Sequence, residues 1–204
     1  MPRVFVACEF SGTVRDAFRA LGYDAVSCDL LPSEAPGPHI RGDARDHLAD
    51  GWDILVAHPP CTYLCNSGVR WLYGGSGSDR DPVRWKLMEE GAALFRAFLD
   101  APIPRIAVEN PIMHRYAKEI VGKPVSQLIQ PWHFGDGETK ATGLWLKGLP
   151  PLMSTMLVDD PVARVHRLPP SADRWKKRSV TMPGIAKAMA DQWGSFGSNH
   201  ACRL

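Results

Sequence analysis

The chain has 204 residues, 45% hydrophobic and 23% charged, with a formal net charge of +2, and it contains no internal repeat or low-complexity segment, so one globular domain with a covered core is expected. No apolar run reaches the ~20 residues needed to span a bilayer, and the opening Met1-Pro2-Arg3-Val4-Phe5-Val6 lacks the long apolar region of a signal peptide, so a cytoplasmic protein with no membrane partner is expected. The five cysteines, at 8, 28, 61, 65 and 202, have no paired CxxC spacing and read as free thiols, which leaves no disulfide framework and no metal site to expect.

Val4-Phe5-Val6-Ala7-Cys8 is a short strand-forming run, and after the Ser11-Gly12 turn Val14, Ala17, Phe18 and Leu21 fall at helical spacing up to Gly22. Ala25-Val26-Ser27-Cys28-Asp29 and Asp53-Ile54-Leu55-Val56-Ala57 predict two further strands. Leu87, Met88, Ala92, Leu94, Phe95 and Phe98 predict a helix over 85–99, and Arg105-Ile106-Ala107-Val108 another buried strand. This alternation predicts an α/β fold, a parallel sheet flanked by helices. Ligands of such open sheets sit at the carboxyl ends of the strands, where Glu9 to Gly12, Asp29, Pro59 to Cys61 and Glu109 fall. From about 131 the pattern weakens, and Gly135, Gly137, Gly143, Gly148, Pro150-Pro151 and Pro169-Pro170 predict irregular structure. A last helix begins near Pro183-Gly184 and carries Ile185, Ala186, Ala188, Met189 and Trp193. The expected organisation is a single domain over 1–196, with 150–178 a short irregular basic segment and 197–204 a flexible tail.

Carbon 5 of cytosine is a poor nucleophile, so an enzyme that alkylates it first adds a thiolate at carbon 6 and turns the ring into an enamine. Cys61 follows Ala57-His58-Pro59-Pro60, and the two prolines hold its sulfur rigidly at the sheet edge. A cysteine there is either a packed thiol or the nucleophile. The same chemistry needs a group that neutralises charge developing at N3 and the exocyclic amine, which a carboxylic acid kept protonated near the base supplies. Glu109, between the strand 106–108 and Asn110-Pro111, projects from the same edge as Cys61. Alone it reads as either a solvated carboxylate or a site residue.

Charge is clustered although its total is small. Arg164, His166, Arg167, Arg174, Lys176, Lys177 and Arg178 stand against Asp173, a patch that tracks phosphates or forms a solvated face. The segment from Asn66 to Gly77 holds Ser67, Arg70, Trp71 and Tyr73. It reads either as a hinged loop closing over a flipped base or as a surface loop whose aromatics pack back on the domain. Cys65 has no evident role beyond packing or adventitious oxidation.

The Pro59-Pro60-Cys61 loop and the Glu109-Asn110-Pro111 turn, in this order after a Gly-containing first turn, resemble the cytosine-5 DNA methyltransferase family over most of the chain. The resemblance implies a Rossmann-like S-adenosylmethionine-dependent methyltransferase fold, a mostly parallel sheet with helices on both faces. It implies a site for S-adenosylmethionine made of Glu9, Phe10, Ser11 and Gly12 in the first turn, Asp29 and Leu30 at the ribose, and Asp43 beside Gly42 near the adenine. Pro59, with Ser179 and Thr181 of the returning segment 178–183, completes that site. Cys61 and Glu109 take the catalytic positions, and His133 and Lys140 stand in for an arginine pair of the family; His133 also reads as a structural histidine. DNA contacts are expected from Ser67, Arg70, Trp71, Arg164, Arg167, Arg174, Lys176 and Lys177. The chain departs from the family in offering only Gly12 in the first turn and in having only about twenty residues between Pro151 and Asp173, where the family has a large recognition region. Recognition is then left to this short segment or to a second subunit, in a compact form of the family. The expected activity is transfer of a methyl group from S-adenosylmethionine to carbon 5 of cytosine in DNA through a covalent Cys61 adduct. The alternatives are carbon-5 modification of a free pyrimidine nucleotide or RNA, and a non-catalytic nucleic-acid-binding module with the same fold.

Overall fold

The computed structural model describes residues 1–74 and 79–195. Its strands are β1 (Arg3–Ala7), β2 (Asp24–Asp29), β3 (His39–Arg41), β4 (Ile54–Ala57), β5 (Arg105–Pro111), β6 (Gln127–Ile129) and β7 (Thr142–Lys147). Its helices are α1 (Thr13–Ala20), α2 (Pro82–Leu99), α3 (Arg115–Val121), α4 (Arg174–Ser179) and α5 (Pro183–Gly194). The strands form one sheet in the order β3-β2-β1-β4-β5-β7-β6, in which only β7 runs against its neighbours.

Val4 to Ala7 and Ile54 to Ala57 are apolar at every position because both faces of the sheet are covered. Phe5, Leu55, Ile106 and Val108 pack against Met88, Phe95 and Phe98 of α2 and Ala117 of α3. Val4, Val6, Ile54 and Val56 face the other way, onto Val14 and Phe18 of α1 and Ala186, Met189 and Trp193 of α5. This is the Rossmann-like fold of S-adenosylmethionine-dependent methyltransferases, with helices on both faces.

The parallel ladders hold the central strand ends level. Ala7 pairs with Cys28 and Ala57, and Ala57 pairs with Val108. The residues that follow, Cys8, Asp29, His58 and Glu109, therefore leave the sheet on one edge.

Three expectations need correction. The irregular structure expected after residue 131 contains β7, and Gly143 lies inside that strand. A Cβ there would stand 2.9 Å from the Trp145 ring and 3.3 Å from Asn110 O, so the glycine serves close strand packing and marks no turn. The basic segment expected to be irregular to 178 ends in α4, which begins at Arg174. Leu21 lies beyond the end of α1 as its half-exposed C-cap and adds nothing to the core. The expected tail 197–204, and positions 75–77 of the segment after Cys61, lie outside the described residues. Among the described residues, no helix is long and apolar enough to cross a membrane.

A fully buried arginine shapes the ground beside the site. Arg15 donates to Ser27 Oγ at 3.2 Å, Ser33 Oγ at 3.2 Å, Ala35 O at 3.3 Å and Pro36 O at 2.9 Å, and pairs with Asp16 at 2.7 Å. All of its donors are occupied, as a buried guanidinium requires, and the loop after β2 is fixed by it.

The first turn of α5 docks on the turn 131–136. Gly184 N–H donates to Asp136 Oδ2 at 2.9 Å, and a Cβ on Gly184 would collide with Phe134 O. Gly184→Ala should therefore destabilise the protein by about 2–3 kcal/mol, measured by urea denaturation as a lower midpoint with an unchanged slope. An unaltered midpoint contradicts this contact.

Candidate active site

β1 ends at Cys8, whose φ of 57° is a left-handed conformation that a non-glycine residue adopts only under constraint. The turn that follows is closed by Glu9. Its Oε1 accepts from Val14 N–H at 2.6 Å and its Oε2 from Arg15 N–H at 3.2 Å, so Glu9 caps α1 in place of Gly12, which has no side chain and sits at φ 76°. Burial pushes the Glu9 carboxyl up, against the His58 charge and these two N–H groups. At 4% exposed, Glu9 turns both oxygens into the protein and builds the turn from behind. Ser11 Oγ lies 3.5 Å from Glu9 Oε1 and completes this packing.

A cavity of about 670 Å³ opens along the strand ends. On the β2 side it is lined by Phe10, Asp29 and Leu31, at its centre by His58, Pro60, Cys61 and Cys65, and on the β5 side by Ser67, Trp71 and Arg84. Lys140, His166, Trp175, Arg178 and Ser179 complete the walls. Asp29 Oδ1 accepts from Leu31 N–H at 2.9 Å. Trp175 meets Phe10 edge-on at 6.1 Å, and Lys176 Nζ stands 5.7 Å over the Phe10 ring. Among the described residues, no group of three or more His, Cys, Asp or Glu side chains is arranged to hold a metal ion.

Glu109 stands behind His58, not on the cavity wall. His58 Nδ1 lies 3.3 Å from Glu109 Oε2 and 3.5 Å from Thr181 Oγ1. Burial pushes the Glu109 carboxyl up, but the hydrogen bond from His58 and the charges of Lys140 and His58 outweigh it, so its pKa lies below the ordinary carboxylate value. Glu109 is therefore ionised at neutral pH, which corrects the expectation of a protonated carboxylic acid. A carboxylate only accepts, so the geometry assigns the ring proton of neutral His58 to Nδ1, leaving Nε2 an acceptor. Nε2 is buried and has no partner in the protein, an arrangement that costs roughly 1–3 kcal/mol unless a ligand completes it.

Cys61 and Cys65 are joined through the turn after the two prolines, with Cys65 N–H donating to Cys61 O at 3.0 Å. Their side chains are hydrogen-bonded as well, and Cys65 Sγ lies 3.1 Å from Ser67 Oγ. The bond from Cys61 brings the Cys65 thiol down to about 5 against the opposing effect of burial, with help from Ser67 and the backbone N–H groups of Gly68 and Ser67. The same bond, burial and the Glu109 carboxylate push the Cys61 thiol up.

The other expected residues divide clearly. Lys140 lines the cavity and its Nζ donates to Val180 O at 3.5 Å. His133 does not join it: the ring packs edge-on against Trp132 at 4.1 Å, and its carbonyl accepts from Thr155 and Met156. Asp43 caps the 3-10 turn 44–47 and is paired with Arg45, and Leu30 is 71% exposed at the rim. Pro59 is buried beneath the cavity. Trp71 is 51% exposed, with Arg70 at 4.5 Å and Arg84 at 5.9 Å from its ring. Three of the basic side chains bind the protein itself: Arg164 pairs with Glu138 at 3.5 Å, Arg174 donates to Leu168 O at 2.7 Å, and Lys176 pairs with Glu34 at 3.3 Å. Arg167 and Lys177 are exposed.

No protein-family model and no curated protein matches the chain. Among solved structures it is similar to a protein described as a DNA modification methyltransferase encoded within an Escherichia coli prophage, at 14% identity and a TM-score of 0.47 over 80% of this chain and 53% of that one. It is also similar to the Entamoeba histolytica methyltransferase EhMeth, at 13% identity and a TM-score of 0.47 over 78% of this chain and 58% of that one. The chain spans little more than half the length of these two structures.

His58, Cys65 and Arg84 are the cavity residues that sequence reasoning missed. For His58 and Cys65 the available signal was position, one residue beyond a strand and four residues beyond Cys61.

The ionised state of Glu109 has a direct consequence. A carboxyl held below its ordinary value of 4.5 contributes stability that is present above that pH and is lost as pH falls through the lower folded value. In thermal denaturation from pH 7 to pH 3, the gap between wild type and Glu109→Gln should close below about 4.5. A gap independent of pH contradicts the ionised pair.

Proposed function

We propose that the protein is an S-adenosylmethionine-dependent DNA cytosine-5 methyltransferase in which Cys61 adds to carbon 6 of a cytosine turned out of the duplex. The observation that carries this reading is Cys61 at the centre of a cavity whose β2 side offers Asp29 and Phe10 and whose β5 side offers Ser67, Trp71 and Arg84. Its volume falls within the roughly 300–1,000 Å³ of small-molecule sites.

The β2 side suits the donor. One Asp29 oxygen is taken by Leu31 N–H, which leaves the other for ribose hydroxyls, and Phe10 and Trp175 offer aromatic surface. Ser11 and Gly12 form the turn into α1, with Glu9 bracing it; Leu30, Asp43, Pro59, Ser179 and Thr181 surround this half. Bound there, S-adenosylmethionine supplies an electrophilic methyl carbon.

The centre suits cytosine. The acceptor Nε2 of His58 matches the exocyclic amino group of cytosine, whereas the carbonyl of uracil or thymine would set acceptor against acceptor. Glu109 fixes the His58 tautomer from behind, and the Lys140 ammonium faces charge that develops at N3. Addition of the Cys61 thiolate at carbon 6 gives carbon 5 the enamine character it needs to accept the methyl group.

The β5 side suits an extruded nucleotide. Turning a base out of the stack costs a few kcal/mol, and Trp71 between Arg70 and Arg84 offers stacking and charge to offset it. Arg167 and Lys177, being exposed, are the better phosphate contacts; Arg164, Arg174 and Lys176 first secure the segment that covers the cavity.

Labelled-methyl transfer tests the reading. Wild type should label cytosine-containing duplex DNA, and Cys61→Ser should lose on the order of 10³-fold or more of that rate. Full labelling by Cys61→Ser overturns the mechanism, and labelling confined to free nucleotides or RNA overturns the substrate.

A further inference from the structure

The Cys61 sulfur sits where a thiol holds its proton tightly, enclosed and facing the Glu109 carboxylate. A nucleophile in that position needs a group to take the proton. His58 Nε2 has no hydrogen-bond partner and so does not touch the Cys61 sulfur. Cys65 does touch it.

We propose that Cys61 and Cys65 form a dyad that holds one proton between two sulfurs, and that Cys65 takes the thiol proton of Cys61 when the base enters. The proposal rests on the reading of Cys61 as the nucleophile. Both sulfurs line one cavity, the 61–65 turn is closed by a 3.0 Å backbone bond, and Cys65 is only 8% exposed. Two thiolates in contact cannot both ionise in so enclosed a place, so the pair carries a single negative charge. The charge rests on Cys65 because the donors are there: Ser67 Oγ at 3.1 Å and the backbone N–H groups of Ser67 and Gly68. Cys61 instead faces the Glu109 carboxylate, with only Lys140 as a favourable charge.

Each proton and electron pair is accounted for. The proton of Cys61 S–H passes to the Cys65 thiolate, the freed pair on Cys61 forms the bond to carbon 6, and the ring π pair moves to carbon 5. After carbon 5 has gained its methyl group, its proton leaves to solvent and the carbon 5–carbon 6 double bond re-forms. The Cys61–carbon 6 bond then breaks, its pair returns to Cys61, and Cys61 retakes the proton from Cys65.

Thiolate absorbance near 240 nm, titrated against pH without donor or DNA, reads the dyad directly. In a Cys202→Ser background, wild type should show one thiolate already present at neutral pH. Cys61→Ser should keep it, because a hydroxyl still donates to Cys65, and Cys65→Ser and Cys65→Ala should abolish it. In methyl transfer at pH 7, Cys65→Ser should be about 10²-fold slower, with unchanged KM for DNA and a deficit that shrinks toward pH 9 as Cys61 titrates by itself. A Cys65→Ser protein that keeps the neutral-pH thiolate, or keeps the wild-type pH–rate profile, overturns the proposal. Melting curves of the variants separate this from misfolding. The titration needs no turnover, so a wild type that shows the thiolate but transfers no methyl group overturns the enzymatic reading alone.

Discussion

Ala7, Cys28, Ala57 and Val108 are held level by three parallel ladders, and the residues that carry chemistry stand just beyond them. The ladder ends where His58 N–H donates to Ala7 O at 2.9 Å, after which Pro59 has no N–H to continue it. The chain must then leave the sheet, and two prolines allow it few directions. A slip of one residue in β4 would turn every side chain of that strand to the opposite face. The buried faces of Leu55 and Val56 forbid this, so core packing and site geometry are enforced by the same contacts.

The electrostatics of the cavity follow from that frame. Glu109 and the Cys61–Cys65 pair each carry negative charge close together, and the compensation comes from His58, Lys140 and the N–H groups of Ser67 and Gly68. Such balances are stronger in an enclosed site than in water. The segment 164–179 covers the cavity, tied down through Glu138 and Glu34. It therefore serves two ends, enclosing the site and presenting Arg167 and Lys177 outward.

The fold was legible where the sequence is locally decisive. β1, β2, β4 and β5 are short apolar runs closed by polar residues, and α2 and α5 keep a helical period over many turns. β6 and β7 were not legible, because Gly143 and the surrounding prolines imitate a loop and only the approach of Trp145 and Asn110 explains the glycine. In the site, Cys61 and Glu109 could be named because each follows a strand. The charge state of Glu109 could not be read, since it depends on His58, 51 residues earlier in the chain. Lys176 reads as a free cation until Glu34, 142 residues away, is found beside it. A charge count sees a patch, but only the folded chain reveals its partners.

The most direct test of Cys61 as nucleophile uses duplex DNA carrying 5-fluorocytosine together with S-adenosylmethionine. Fluorine at carbon 5 cannot leave as a cation, so an adduct at carbon 6 that has accepted a methyl group cannot resolve. Mass spectrometry of the digested complex should find the modified base on the peptide that contains Cys61, dependent on the donor and absent from Cys61→Ser. A complex that survives Cys61→Ser, or an adduct mapped to any other residue, contradicts the proposed chemistry.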